Sequence, residues 1–261
     1  MRACGQMSLG SIRPSRLEGD GGRAFTLVEL LVVVAIIGLL AGLLIPATQR
    51  AIASGKTGKA TDNLRQIGTL LNACAAENSG CLPILLDWGS GGWWPPLQYR
   101  LMELAGAQAD WSRQNTTGLY LVDWVYDPGI KNAQKGPPQH PYGGLGFNDA
   151  IVLGLGSNDN RDCRKVFGSD RGTPLNAIGS LSKKVVAASA TDSQGSQFKS
   201  SWYFVGEQWV STGPGYTGPK PDPRHGGKTL CLFADGHTEL LDTDRMSSAE
   251  RRKYFLLPQF E

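Results

Sequence analysis

The sequence predicts an α+β protein in which one long N-terminal helix packs on a small antiparallel sheet with extended loops. Three observations predict this fold: an unbroken apolar run near the N-terminus, an amphipathic pattern directly after it, and short strand-like runs between glycines and prolines in the C-terminal part. The 261 residues include 34 glycines and 15 prolines, which favours loops and short strands over a helical bundle.

Composition and motifs argue against several classes of protein. The formal net charge is +3 without a long basic run, so a nucleic-acid partner is not predicted. The sequence contains no nucleophile elbow, zinc-protease, paired CxxC or phosphate-loop motif in a suitable context, so we predict that it is not an enzyme. It also has no loop dense in acidic ligands, so neither a metal nor a cofactor is predicted.

The apolar run covers residues 25–45 and carries one charge, Glu29. A run of this length can span a bilayer as a helix. It is longer than the apolar core of a signal peptide, and no small-residue cleavage site follows it. Four arginines against two acidic residues make the preceding 24 residues net positive. This charge predicts a cytoplasmic leader at 1–24, with either Met1 or Met7 as its start, and an exported C-terminal part.

Glu29 is unusual because a carboxylate within a membrane helix costs several kcal/mol unless it finds a partner or a wet position. One explanation is that Glu29 lies near the interface and reaches the headgroups. The other is that a cut before Phe25 creates an α-amine at the helix start, which pairs with Glu29 of a neighbouring subunit. A pair desolvated on both sides would favour assembly and fix its register.

Residues 24–31 read AFTLVELL, which resembles the cleavage and methylation motif of type IV prepilins and type II secretion pseudopilins. The resemblance implies that a prepilin peptidase cuts between Ala24 and Phe25 and methylates Phe25. It also implies that Glu29 serves in processing and assembly. Glycine is commoner before the cut, so Ala24 departs from the family pattern. The implied partners are the peptidase, other pilin-like subunits and membrane lipid.

Gly38, Gly42 and Pro46 are the other residues of this segment to which we assign a part in assembly. The two glycines form a small-xxx-small pair, which allows close approach of like helices. Proline in a helix removes one backbone donor and is tolerated where neighbours satisfy the freed carbonyl. The alternative is ordinary membrane-helix composition, in which glycine and proline are frequent.

After Pro46, apolar residues recur at helical spacing: Ala47, Ala51, Ile52, Ala60, Leu64, Ile67, Leu70, Leu71 and Cys74. One helix is therefore predicted over 25–77, ended by Asn78-Ser79-Gly80. The expected organisation is a leader at 1–24, a transmembrane helix at 25–46, an amphipathic helix at 47–78 and an exported globular domain at 79–261.

The globular part contains strand-like runs and scattered tryptophans. Strands are predicted at 119–126, 184–190, 202–205 and 208–211, with a turn at 205–208. Exposed aromatic side chains could bind carbohydrate, whereas buried ones would form the core of a loop-rich domain, which we favour. The tryptophans concerned are Trp88, Trp93, Trp94, Trp111, Trp124, Trp202 and Trp209.

The C-terminal part predicts a hairpin over 228–242, with two apolar runs on either side of Asp235-Gly236, both expected at positive φ. Nine residues separate His225 from Asp235. This spacing resembles the H-X9-DG element of planctomycete-type pilin-like proteins. A direct His225–Asp235 pair is not expected, because a strand separates them. His237 is close enough to Asp235 to share a cation site, but a capping histidine and a tight turn are the simpler explanation.

Four cysteines follow the apolar run and a fifth, Cys4, precedes it. Outside the cytoplasm the four form an even set, so disulfides are possible, with three pairings that the sequence does not distinguish. One short loop would be closed by Cys74 and Cys81. The alternative is four buried free thiols. The candidates are Cys74, Cys81, Cys163 and Cys231.

Taken together, these features predict a single-pass protein of the inner membrane that serves as a structural subunit of a type IV pilus or type II secretion pseudopilus. The alternative is a membrane-anchored periplasmic binding module, for glycan or a secreted cargo, that does not polymerise.

Overall fold

The structure is a computed structural model, and it describes residues 26–85, 97, 101, 104, 127–130, 144–153, 162–168, 170–191, 203–204 and 206–260. The chain divides into two compact units, Met1–Thr48 and Gln49–Glu261. The strand predicted at 119–126 lies outside the described residues. So do Ala24, Phe25 and every tryptophan except Trp209.

The first helix, α1, runs over Leu27–Glu77 and confirms the prediction of one long helix. Pro46 lies inside it and does not end it. The helix ends where Ser79 and Gly80 take positive φ values of 54° and 80°. The Gly80 backbone N–H then donates to the Ala75 carbonyl at 2.8 Å. A left-handed residue with such a bond satisfies a carbonyl that the helix leaves open.

Within the second unit, one face of α1 is buried at helical spacing. The apolar positions predicted at Ala47, Ala51 and Ile52 do not belong to this face, since all three are exposed. The buried face of α1 therefore begins at Ala60, whereas the apolar pattern in the sequence begins at Ala47. Its members are Ala60, Asn63, Leu64, Ile67, Gly68, Leu71, Cys74 and Ala75.

Among the described residues the sheet has six strands in the order β3-β1-β2-β5-β6, with β4 paired to the end of β2. Most neighbouring strands are antiparallel, as predicted, but β1 and β3 are parallel, with Phe147 opposite Tyr203. The strands are β1 Leu145–Asn148, β2 Val185–Thr191, β3 Tyr203–Phe204, β4 Lys220–Pro221, β5 Thr229–Phe233 and β6 Thr238–Leu241.

Four of these strands were expected: β2 matches the prediction at 184–190, β3 lies within 202–205, and β5 and β6 form the hairpin predicted at 228–242. Besides α1, three short α-helices have both ends within the described part of the chain. They are α2 Cys163–Phe167, α3 Gly206–Thr212 and α4 Ser248–Phe255.

The strand predicted at 208–211 and the turn before it are wrong, because this segment forms α3. Tertiary contacts at the helix start explain the difference. The Gly206 N–H donates to Asp149 Oδ1 at 2.9 Å. A side chain at Gly206 would lie 2.2 Å from Asn148 Oδ1, so only glycine allows this close approach.

The apolar core lies on both sides of the sheet in two clusters. One holds the buried face of α1, and the other holds Trp209, Phe204 and Phe255. Trp209 is buried and meets the Phe255 ring edge-on, with centroids 4.7 Å apart. The core role favoured for the tryptophans is confirmed for Trp209.

Candidate functional site: an exposed apolar helix and a buried histidine cluster

The N-terminal half of α1 exposes an apolar surface. The large apolar side chains between Leu27 and Ile45 are 45–79% exposed. This part of α1 is long and apolar enough to cross a membrane, a criterion that signal sequences and buried core helices also meet. None of its 18-residue apolar window is buried by the described part of the chain, whereas the core helix of a soluble protein is mostly buried. Such a surface needs lipid or other helices to remove it from water.

Glu29 and Thr26 form a capping box at the start of α1. Glu29 Oε2 accepts hydrogen bonds from the Thr26 backbone N–H at 2.9 Å and from the Thr26 hydroxyl at 2.8 Å. The Thr26 hydroxyl oxygen accepts from the Glu29 N–H at 3.2 Å. The pattern T-x-x-E before an apolar run is typical of a capping box. The sequence therefore contained the signal for this cap, although the cap was not predicted. It gives Glu29 a partner within its own chain.

Gly38 and Gly42 leave open space on this helix. A Cβ built at either position meets no heavy atom within 4 Å beyond the helix's own neighbouring backbone. Pro46 is exposed in the same half. Within the described part of the unit Met1–Thr48, these three residues therefore lie on the uncovered surface of the helix.

His225 lies in a buried polar cluster, the His225 cluster, formed with Thr57, Asp127, Ser189 and Arg224. Its Nε2 is 3.0 Å from Asp127 Oδ2 and 3.0 Å from Ser189 Oγ. Its Nδ1 is 3.1 Å from Thr57 Oγ1. These contacts connect α1, β2 and the 127–130 segment to the chain just before β5. They make His225 a cross-link between elements rather than a cap.

The negative charge of this cluster belongs to Asp127, which is fully buried. Arg224 Nε lies 3.7 Å from Asp127 Oδ2, and the same guanidinium forms a 2.6 Å ion pair with Asp222. Burial by itself would raise the pKa of Asp127. The His225 hydrogen bond, the Arg224 and His225 charges and the Gly129 N–H outweigh burial and lower that pKa below its usual value.

Ser189, His225 and Asp127 resemble the parts of a nucleophilic triad, but their geometry is different. In such a triad the acid and the nucleophile contact opposite nitrogens of the imidazole. Here both contact Nε2, and the side chain of His225 is only 2% exposed. The arrangement is that of a structural cross-link.

The hairpin turn makes a second contact with α1. A Cβ at Gly68 would lie 3.0 Å from Leu232 Cδ1 and 3.3 Å from the Gly236 Cα. Only Gly236, at φ 92°, takes positive φ in this turn, so the expectation for Asp235 is wrong. The Gly236 N–H donates to the Phe233 carbonyl and closes a turn whose two central residues are Ala234 and Asp235. The left-handed residue, Gly236, comes directly after these two residues and is not itself part of a two-residue hairpin loop.

His225 and Gly236, at the two ends of the β5 segment, therefore both contact α1, at Thr57 and Gly68. Asp235 does not bond His225. Its Oδ1 bonds His237 Nδ1 and accepts the His237 N–H at 3.1 Å, while the His237 ring stacks on Phe233. Among the described residues, no group of three potential metal ligands includes this pair.

Four cysteines, Cys74, Cys81, Cys163 and Cys231, are buried, and none of them forms a disulfide in the structure. Burial, followed by the charge of Asp162, raises the pKa of Cys163 to about 12. Burial also raises the pKa of Cys231, with a smaller contribution from Glu239. Such thiols are poor nucleophiles in the folded state.

Comparison with known proteins concerns mainly the N-terminal segment. The family model for the prokaryotic N-terminal methylation motif matches residues 22–45. Three sequences of the type IV major fimbrial protein FimA of Dichelobacter nodosus are each 33% identical to the chain over 66 residues. The matched part is 25% of this chain and 41–42% of those relatives, so the chain spans less than half of their length.

No solved structure matches the chain. The family-model match at residues 22–45 does not include the H-X9-DG element. Residues 22–45 match the methylation motif, and α1 begins within this range, at Leu27. In these features the chain is similar to type IV prepilins.

Proposed function

We propose that the chain is a structural subunit that assembles through α1 into a type IV pilus or a type II secretion pseudopilus. One observation carries the proposal: the segment matching the methylation motif begins a helix whose large apolar side chains are exposed. Packing against like helices would remove this surface from water, and Gly38 and Gly42 would let the backbones approach closely.

The proposed processing is a cut between Ala24 and Phe25 by prepilin peptidase, followed by methylation of the Phe25 amine. The motif match over residues 22–45 supports this site. Both hydrogen bonds from Thr26 go to Glu29 Oε2. A neighbouring subunit's amine could therefore bind Oε1 while the capping box stays intact, and the resulting desolvated pair would fix the register of assembly.

The proposed location before assembly is the inner membrane. Residues 1–24 lie in the cytoplasm, residues 25–46 cross the bilayer, and residues 79–261 are exported. The net positive leader and the exposed apolar helix support this topology. Lipid is then the partner of α1 until other pilin-like subunits replace it.

Mass spectrometry of the N-terminal peptide from membrane-extracted protein tests the proposal. We expect a chain that starts at Phe25 with one added methyl group, and a retained leader in a host that lacks prepilin peptidase. Ala24→Gly should be cut, because glycine is the residue usual before the site, whereas the bulky Ala24→Leu should not.

A retained leader with unmodified Phe25 in a host whose own prepilins are processed would contradict the proposal. The chain would then be a singly anchored membrane protein, and a periplasmic binding module would be the better explanation.

A further inference from the structure

The stretch of α1 that follows the apolar run carries positive charge only. No aspartate or glutamate occurs between Glu29 and Asp62. The first buried residue of α1 is Ala60, so residues 46–59 precede the face that packs on the sheet. The charged residues of this stretch, the juxtamembrane cations, are all exposed: Arg50, Lys56 and Lys59.

The juxtamembrane cations have no acidic partner within the described part of the chain. The ion pair that follows them on α1 joins Asp62 to Arg65 at 3.7 Å. The first acidic residue after the apolar run is therefore already paired with a later cation. Three unpaired cations on an exposed helical stretch are free to bind an anion from outside the chain.

The spacing along the helix brings these cations close to a membrane surface. The apolar run over residues 25–45 is about 32 Å long as a helix, which matches the hydrocarbon core of about 30 Å. Arg50, Lys56 and Lys59 then follow its end by about 8, 17 and 21 Å along the helix. A headgroup layer is about 5–8 Å thick, so Arg50 lies at its outer edge.

We propose that Arg50, Lys56 and Lys59 bind the phosphate groups of anionic phospholipids on the exported side of the membrane before assembly. This inference rests on the proposed function, because α1 must cross the bilayer for these residues to reach that side. A guanidinium binds a phosphate through two parallel hydrogen bonds, whereas an ammonium acts as a point charge. Arg50, the cation nearest to the apolar run, is therefore also the better phosphate ligand.

The contribution of each cation should fall with its distance from the apolar run. Attraction to an anionic surface decays within a Debye length, which is about 8 Å at physiological ionic strength. Beyond the headgroup layer, Lys56 lies about one such length away and Lys59 still further. The expected order of effects is Arg50, then Lys56, then Lys59.

Electron paramagnetic resonance of spin-labelled lipids tests the proposal. The full-length chain is reconstituted in vesicles of phosphatidylcholine and phosphatidylglycerol, and the association constants of the two labelled lipids are compared. One cation near the surface is worth about fivefold at its own lipid site, which averages to about twofold over the sites around the helix. Arg50→Gln should therefore lower the preference for phosphatidylglycerol by about twofold, and Lys59→Gln by less.

Arg65→Gln is the matched control, because Arg65 is an exposed cation of the same helix that is paired with Asp62. It should leave the lipid preference unchanged, whereas the triple variant of Arg50, Lys56 and Lys59 to glutamine should lower it most. High salt should weaken the preference of the wild type. Equal constants for the wild type and the triple variant, or an equal loss in Arg65→Gln, would overturn the inference.

Two further measurements separate this inference from the proposed function. If carbonate extracts the wild-type chain from the vesicles, α1 does not span the bilayer, and both proposals fail. If the chain resists carbonate but the triple variant keeps the lipid preference, only the lipid inference fails. A triple variant that keeps this preference and forms no filaments in cells would assign the cations to acidic groups of a second copy, which also overturns the inference.

Discussion

Asp127 is a fully buried carboxylate whose negative charge is balanced within the His225 cluster. His225 contacts it at 3.0 Å, Arg224 lies 3.7 Å away, and the Gly129 N–H donates to its second oxygen at 2.7 Å. Removal of one partner from a buried ion pair leaves the other charge desolvated without compensation. The cluster should therefore matter more for stability than any exposed ion pair of the domain.

Asp127→Asn is expected to lower the free energy of unfolding by about 3 kcal/mol, because the amide leaves the Arg224 charge without its buried counterpart. The matched control is Asp235→Asn. Its side chain is partly exposed, and asparagine can still accept the His237 N–H, so the change should stay within about 0.5 kcal/mol. Urea denaturation of the full-length chain in detergent, followed by tryptophan fluorescence, measures both. Equal effects would contradict a special role of the cluster.

The lowered pKa of Asp127 predicts how this stabilisation depends on pH. A carboxyl with a lower pKa in the folded state stabilises fully above its unfolded value of about 3.9 and loses that contribution as pH falls through the folded value. The stability difference between wild type and Asp127→Asn should therefore shrink when urea midpoints are measured from about pH 6 down to about pH 3. A difference that stays constant over this range would exclude the carboxylate charge as its source.

Glu29 caps α1, and under the proposed function it also pairs with a neighbouring subunit's amine. Glu29→Gln keeps an oxygen that can accept the Thr26 N–H but removes the charge, whereas Glu29→Ala removes both. We expect both variants to insert in the membrane and neither to assemble, because the charge is needed for the pair. Electron microscopy of sheared filaments, with membrane fractions as the control, measures this. Normal filaments from Glu29→Gln would show that the capping box is the only role.

At the scale of secondary elements, the close packing of the β5–β6 hairpin on α1 limits which side chains α1 can carry at the contact. Gly68 is one of its buried residues, and the space where a side chain would stand is filled by Leu232 and Gly236. Gly58 is exposed, with nothing within 4 Å of a Cβ built on it. The two glycines occupy one helix and differ in whether the sheet covers them.

Gly58→Ala should stabilise the chain by about 0.5–1 kcal/mol, because alanine loses less backbone entropy in a helix. Gly68→Ala gains the same helix propensity, but its methyl group would be too close to the Leu232 side chain and the Gly236 backbone. Overpacking of this kind costs about 1–3 kcal/mol, so a net loss of about 1 kcal/mol is expected. Chemical denaturation of both variants measures the difference. A stabilised Gly68→Ala would mean that the hairpin does not pack closely on α1.

At the scale of the whole molecule, the two core clusters lie entirely within the unit Gln49–Glu261, whereas the large apolar side chains from Leu27 to Ile45 in the other unit are exposed. A fragment starting at Gln49 should therefore keep its cores and remain monomeric in aqueous buffer. The full-length chain should require detergent or membrane. Size-exclusion chromatography and carbonate extraction compare the two. A fragment that aggregates or unfolds would show that the N-terminal unit is needed for folding.

Much of the fold could be predicted from local sequence signals. The apolar run and the periodic face after it predicted α1, Asn78-Ser79-Gly80 predicted its end, and the alternation around Asp235-Gly236 predicted the β5–β6 hairpin. Each of these depends on residues close together in the chain, whose spacing reflects the geometry of the element. The capping box at Thr26 was equally local and could have been found.

The partners of His225 could not be predicted, because Asp127, Ser189 and Thr57 lie 98, 36 and 168 positions away from it. The same holds for α3, which looks like a strand locally and becomes a helix through its contact with Asp149. The sequence by itself determined the long helix, its membrane-like half and the hairpin. Only the tertiary structure decided what His225 binds and that residues 206–212 form a helix, because such contacts depend on how distant segments pack.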